Sequence, residues 1–459
     1  MGQRGAAAAL GGCPRRAGGG GCRRLPLALA LALILGLAAA AVLGGGVVAG
    51  AAGGESSLPQ PPEEPSGSPS GSGPAGGLPE GGSGDGAGPW PVLAPDEEAW
   101  LEEQAGALGL ERAEEVLRGA TQEWRAYLPD LSLKGMADRL RQGRFPLDLG
   151  GLGRGLLRYG FREALAGLRL LGQLLGLAVV CALLGALEAA VSRGGVGRLA
   201  HSVCYLALVS LALAGLLVAL DVARGTLQGM VSFMLALLPM LVALLAAVGA
   251  PVTAGLFHPL MVAVVHTVAL GAAQVAFPLL VFSVALDSVG HLAPEHRLAG
   301  LSALFRQLAI AGVGVLLCLF LGASVVLGAG GAVADGVALR TAKFLSSTFV
   351  PVVGKMFSDA SEVILGSSLL LKSAVGLSGA VAVVALAAFP LVKLLSLVLV
   401  FRVGAALAQP VAGAGVAGCL ESMGSALTLV LLILAAVALM FFLSLVLVLG
   451  AGSAAVMLR

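Results

Sequence analysis

The chain has 459 residues, of which 58% are hydrophobic and only 12% charged, with a formal net charge of +2. Soluble domains carry about 25% charged residues, so an ordinary soluble domain is excluded and an integral membrane protein is indicated. The near-neutral balance, with no Lys/Arg block interleaved with aromatics, leaves no footprint for a nucleic acid.

Charge is unevenly spread: residues 1–169 hold 34 of the 54 Asp, Glu, Lys and Arg side chains, and the remaining 290 residues hold 20. Arg15, Arg16, Arg23 and Arg24 precede an apolar run from Leu25 to Val48 that ends in Ala49-Gly50-Ala51. A basic flank, an apolar run and a small-x-small site describe a signal peptide over 1–51, with an uncleaved anchor as the competing reading. Residues 52–95, rich in Pro, Gly, Ser and Glu, hold too little apolar surface to fold and read as a disordered linker. Over 96–169, Trp100, Leu101, Leu108, Val116, Leu117, Trp124 and Leu128 alternate with Glu and Arg. That pattern predicts short amphipathic helices, broken near Pro129 and too small for a core of their own. Arg154, Arg158, Arg162 and Arg169 then form a basic approach to the membrane.

The expected architecture is all-α and polytopic. Candidate spans run Leu170–Val191, His201–Leu220, Leu227–Gly249, Leu256–Gly290, Leu308–Gly330, Ala374–Val392, Leu394–Ala408 and Ser425–Gly450. The fourth is long for one crossing, and Pro278 is placed to kink or divide it. A cleaved signal peptide puts the segment before the spans outside the cytoplasm, with Arg193 and Arg198 inside. Gly172 and Gly176 form a GxxxG suited to close helix contact.

An internal duplication is indicated. Ala276-Phe277-Pro278-Leu279 recurs as Ala388-Phe389-Pro390-Leu391, and Val326 to Gly330 recurs as Val448 to Gly452. First spans over 170–225 would precede two repeats, 226–332 and 333–459, parallel or inverted according to the number of crossings in each.

The second repeat opens on the most distinctive stretch. Residues 333–376 carry seven of the twenty charges found after Leu170, between segments apolar enough to cross a bilayer. Charge kept inside a membrane domain faces protein, water or the interface. Arg340 and Lys343 share one side of a predicted helix. After Pro351, Lys355, Asp359 and Glu362 form a second polar stripe. These five are the candidate pore-lining or interface residues; the helix–proline–helix would lie in the interface, re-enter the membrane or line an aqueous path.

No catalytic or cofactor constellation is legible. There is no HExxH, Gly354-Lys355 is followed by Met356 and not Ser or Thr, and Ser378 lacks the spacing of a nucleophile elbow. His291 and His296, flanking Glu295, are not spaced to put both rings on one helical face, so a metal site is not expected. His258 and His266 read as polar residues packed between helices. Glu188, Asp221, Asp287, Glu421, Lys393 and Arg402 read as span-end markers or snorkelling side chains. Cys181, Cys204, Cys318 and Cys419 lie in or beside apolar segments and read as unpaired small hydrophobes.

The stretch from Val333 to Gly376, with Leu256-Phe257-His258-Pro259, Ala388-Phe389-Pro390-Leu391 and Ala438–Arg459, resembles the stage III sporulation protein AE family. The likeness covers roughly Asp96 to Arg459. It implies a non-enzymatic, polytopic membrane protein of the mother cell of endospore-forming bacteria. It further implies a place in the outer forespore membrane, within a channel or secretion-like complex joining mother cell and forespore. Implied partners are the other stage III A membrane proteins, a cytosolic ATPase of the same complex, the forespore stage II protein Q, and membrane lipid, with no cofactor and no nucleic acid. A second expectation, resting on the duplication and the polar residues inside spans, is a secondary transporter for a small solute.

Overall fold

The computed structural model describes residues 110–124, 127, 132–133, 135, 139, 149–190, 195–292, 298–349 and 353–457. For 188–190, 195–198, 325–330, 342–349, 353–367 and 451–457, and at a few single positions, the description is of the backbone alone. The signal peptide, the linker and Pro129 lie outside the described residues. Among those residues, the structure is helical throughout, with no strand.

Helix α1 (Leu110–Ala120) is amphipathic, burying Ala113 and Leu117 at i,i+4. Glu114 accepts from Arg118 at 2.5 Å and from the Ser132 hydroxyl at 3.0 Å, which ties the helix to the chain beyond it. Trp124 then stacks on Phe389 with ring centroids 5.0 Å apart, and Tyr159 meets Phe389 edge-on at 5.4 Å. The amphipathic segment is therefore not a separate body. It lies against the membrane helices and shares their core.

Five long elements follow: α2 (Leu149–Ala190), α3 (Gly195–Ala247), α4 (Pro251–Leu270) continuing into α5 (Phe277–Leu292), α6 (Ala299–Phe349) and α7 (Val353–Met457). Candidate spans expected to be separate are fused. Residues 201–249 lie mostly on α3, because Asp221 and Arg224 are helix-compatible and the link between the two runs contains no proline. Thr226 also donates its hydroxyl back to Val222 O at 2.7 Å, keeping the helix closed. Lys393 likewise fails to interrupt α7. The basic approach, too, is helical, forming the first five turns of α2.

Between α4 and α5, residues Gly271–Ala276 form a π turn in which the Phe277 N–H donates to Ala272 O. Pro278 has no N–H to offer the preceding turn. The π turn runs directly into α5, so the chain does not divide at Pro278.

Helix α7 is two limbs joined at Gly413, whose φ of 76° and ψ of 179° are open to glycine and almost nothing else. The limbs fold back on each other, and the second, Gly415–Gly450, is the most enclosed span of the six that are long and apolar enough to cross a membrane. Met423, Leu427, Val430, Leu434, Ala438 and Phe441 are all buried along it. The least enclosed spans are those of α2 and α6. On α6 the exposed apolar side chains run from Leu301 through Leu308, Val315 and Leu319 to Leu321. That is about 30 Å of helix, the thickness of a bilayer's hydrocarbon core.

The expected GxxxG contact is not made: no side chain from elsewhere lies within 4 Å of where a Cβ on Gly172 or Gly176 would stand. Helix α2 approaches α7 instead at Gly160 and Gly167, where a Cβ would meet Val392 at 2.9 Å and Val400 at 2.6 Å. Gly413→Ala should cost roughly 1–3 kcal/mol from backbone strain alone, read as a lower unfolding temperature in detergent.

Candidate functional site

Of the five candidates in the polar stretch, Arg340 is exposed on α6. Lys343 lies on α6, and Lys355, Asp359 and Glu362 lie on α7; their side chains are outside the described residues. Helix α6 ends at Phe349 and α7 begins at Val353, so the two polar stripes sit on two helices, as the position of Pro351 suggested.

The same stretch supplies two buried ions that the periodicity did not single out. Asp335, fully buried on α6, accepts from the Val252 N–H at 2.9 Å, from the Thr253 N–H at 3.2 Å and from the Thr253 hydroxyl. Helix α4 begins at Pro251 after Ala250, which offers no capping side chain. Its first free N–H groups would otherwise be orphaned in a dry interior. The carboxylate of another helix caps them, and its charge is favourable at a helix N-terminus. Lys372, also buried, donates from Nζ to Leu449 O at 3.2 Å, tying the first part of α7 to its carboxy-terminal part. Asp335→Ala should lower stability by about 1–3 kcal/mol, since two buried N–H groups lose their acceptor. Thr253→Val removes one of these bonds and should cost less; thermal unfolding of both variants checks the order.

The second polar constellation lies near the opposite ends of the same helices. A cavity of about 580 Å³ opens between α5, α6 and the two limbs of α7, and Asp287, His291, Arg306, Ile310, Arg402 and Glu421 are among its lining residues. Arg306 Nη2 pairs with Asp287 Oδ2 at 2.9 Å, and the Ser302 hydroxyl donates to Asp287 Oδ1. Arg402 Nη2 donates weakly to Thr428 Oγ1 at 3.4 Å. The Nε atoms of Arg306 and Arg402 are both buried and have no hydrogen-bond partner. Arg306 lies within the apolar band of α6, about 7 Å beyond its first exposed leucine.

Asp287, Arg402 and Glu421, expected to mark span ends, are thus drawn together, and Arg306 joins them. Their separations along the chain carry no period that would announce the cluster. The only local cue is Asp287 and His291 at i,i+4 on α5. His258 and His266, expected between helices, are instead exposed on α4, where His266 Nδ1 stays within 3.0 Å of Val262 O. Asp221 too is exposed, while Glu295 and His296 lie outside the described residues. Cys181, Cys204 and Cys419 are buried and unbridged, with Cys181 Sγ donating to Cys204 Sγ at 2.7 Å; Cys318 is exposed and free.

Nothing in the cavity resembles a nucleophile poised beside a base. Among the described residues, no three His, Cys, Asp or Glu side chains converge as a metal site would require. The arrangement can hold charge inside an apolar bundle and present guanidinium donors to an acceptor. Asp287→Ala should destabilise by about 1–3 kcal/mol by stranding Arg306. Asp287→Asn combined with Arg306→Gln should cost less than the sum of the two single changes in a double-mutant cycle of thermal stability.

A bundle with six such helices is a polytopic helical membrane protein by length and composition. The family model described as "Stage III sporulation protein AE" matches residues 131–452, and the chain belongs to that family. It is 36% identical over 277 residues to the Stage III sporulation protein AE of Bacillus subtilis (strain 168), a match covering 60% of this chain and 69% of the relative. No solved structure matches. The chain is therefore a membrane protein of a sporulation family.

Proposed function

We propose that this protein is a non-enzymatic membrane subunit of a channel or secretion-like complex that links mother cell and forespore and sustains late forespore development. The family match carries the reading, because it spans every long helix of the bundle from α2 to the second limb of α7. In this reading the protein sits in the mother-cell-derived outer forespore membrane. It assembles with the other stage III A membrane proteins, and with the forespore stage II protein Q across the intermembrane space. A separate cytosolic ATPase supplies energy, since the sequence holds no phosphate-binding loop.

The physical form suits a scaffold or gate. Charged residues are sparse, the enclosed second limb of α7 supplies a rigid centre, and α2 and α6 present broad apolar faces for lipid or neighbouring subunits. Deleting the gene in its own host should leave engulfment complete and block sporulation afterwards, with heat-resistant spore counts falling by several orders of magnitude. Unchanged spore yield would reject the assignment. Purified protein that moved solutes unaided in liposomes would favour the transporter instead.

A further inference from the structure

We propose that the cavity between α5, α6 and the two limbs of α7 is a binding site for the phosphate of an anionic phospholipid, held by Arg306 and Arg402. The two guanidinium groups on one wall are the starting point. Arg306 pairs with Asp287 through Nη2 and Arg402 makes one long bond to Thr428 through Nη2, so the Nη1 group of each has donors to spare for an acceptor in the cavity. The hydroxyls of Ser422 and Ser425 do not fill that role. They donate to Cys419 O and Ser422 O at 3.1 and 2.7 Å, leaving the guanidinium groups as the main donors.

Phosphate fits the donors. A guanidinium presents its N–H groups in a planar fork that matches two oxygens of a phosphate, and charge-assisted bonds of this kind are the stronger class. Asp287 is already engaged by Arg306 and Ser302, which partly offsets its charge. Glu421, which has a partner of its own, is a second carboxylate on the wall, and its negative charge opposes a phosphate.

The position fits a lipid. Arg402 stands 11 residues before Gly413, and Arg306 lies about 7 Å inside the apolar band of α6 that starts at Leu301, a distance an arginine side chain bridges toward the headgroups. Ile310 on the cavity wall is half-exposed. Along the same face of α6 it leads to Gly314 and Leu321, both exposed, where an acyl chain could lie. Basic pockets between membrane helices are a recognised setting for anionic headgroups.

The test uses the full chain purified in a neutral detergent. Native mass spectrometry would follow retention of short-chain phosphatidylglycerol against phosphatidylcholine, and thermal unfolding would be measured with each lipid. Wild type should retain phosphatidylglycerol at least fivefold better and gain unfolding temperature from it alone. Arg402→Gln should abolish that preference, and Arg402→Lys should keep only part of it. Glu421→Gln should tighten binding, whereas Lys393→Gln, outside the cavity, should change nothing. Because Arg306→Gln alone strands Asp287, that arm uses Arg306→Gln with Asp287→Asn, and loss of the preference is again expected. Equal retention of both lipids, or an undiminished preference in a folded Arg402→Gln protein, overturns the proposal. Inorganic phosphate at millimolar concentration giving the full stabilisation without lipid overturns the lipid assignment in favour of a free anion.

Discussion

The second limb of α7 is the most enclosed span of the bundle, and lipid would solvate its apolar side chains as well as protein does, so close packing and not hydrophobicity holds it inside. The first limb doubles back along it through a glycine with φ of 76°. Helices α2 and α3 close on that first limb at Gly160, Gly167 and Gly215, while α5 meets the second limb where His291 lies against Gly418. Burial falls from the second limb outward to α2 and α6, whose exposed leucines and valines meet the membrane. Van der Waals contact and close-approaching glycines supply the fit.

Buried ions hold this assembly at its ends. Asp335 caps the amino end of α4, satisfying N–H groups that a dry interior would leave orphaned. Lys372 donates to Leu449 O on the other limb of α7, inside that helix, and so joins the two limbs. Charge is costly to place there, and the hydrogen-bond demand of the α4 end explains why Asp335 is kept. The Asp287–Arg306 pair is different in kind, since it lies at a cavity wall and leaves donors over.

The class of fold was legible from composition and from runs of Leu, Val and Ala, because lipid selects so strongly for helices of that length. The amphipathic segment was legible as a helix but not in its docking, since stacking of Trp124 on Phe389 joins residues 265 positions apart. Span boundaries were overcounted. A charge such as Asp221 or Lys393 reads as a break in a hydropathy profile, yet an isolated charge in a helix-forming context does not open a turn. The sequence also pointed to the wrong glycines on α2. Gly172 and Gly176 have the familiar spacing, but which face meets α7 depends on helix rotation, and Gly160 and Gly167 lie on that face. The polar stretch also holds Asp335 and Lys372, whose partners are 83 and 77 positions away and so left no mark on its periodicity.

The π turn at Gly271–Ala276 has a bearing on the far end of the molecule. Each residue of an α-helix advances about 100° around the axis, and a π turn adds roughly one residue's worth of phase. An unbroken α-helix from Pro251 would deliver α5 rotated by about that angle. Asp287 and His291 would then face away from Arg306 and Arg402, and the polar cavity would lose Asp287 from its wall. The turn ends 11 residues before the carboxylate it aims. A local hydrogen-bond fault thus works as an angular offset, setting which side of α5 meets its neighbours.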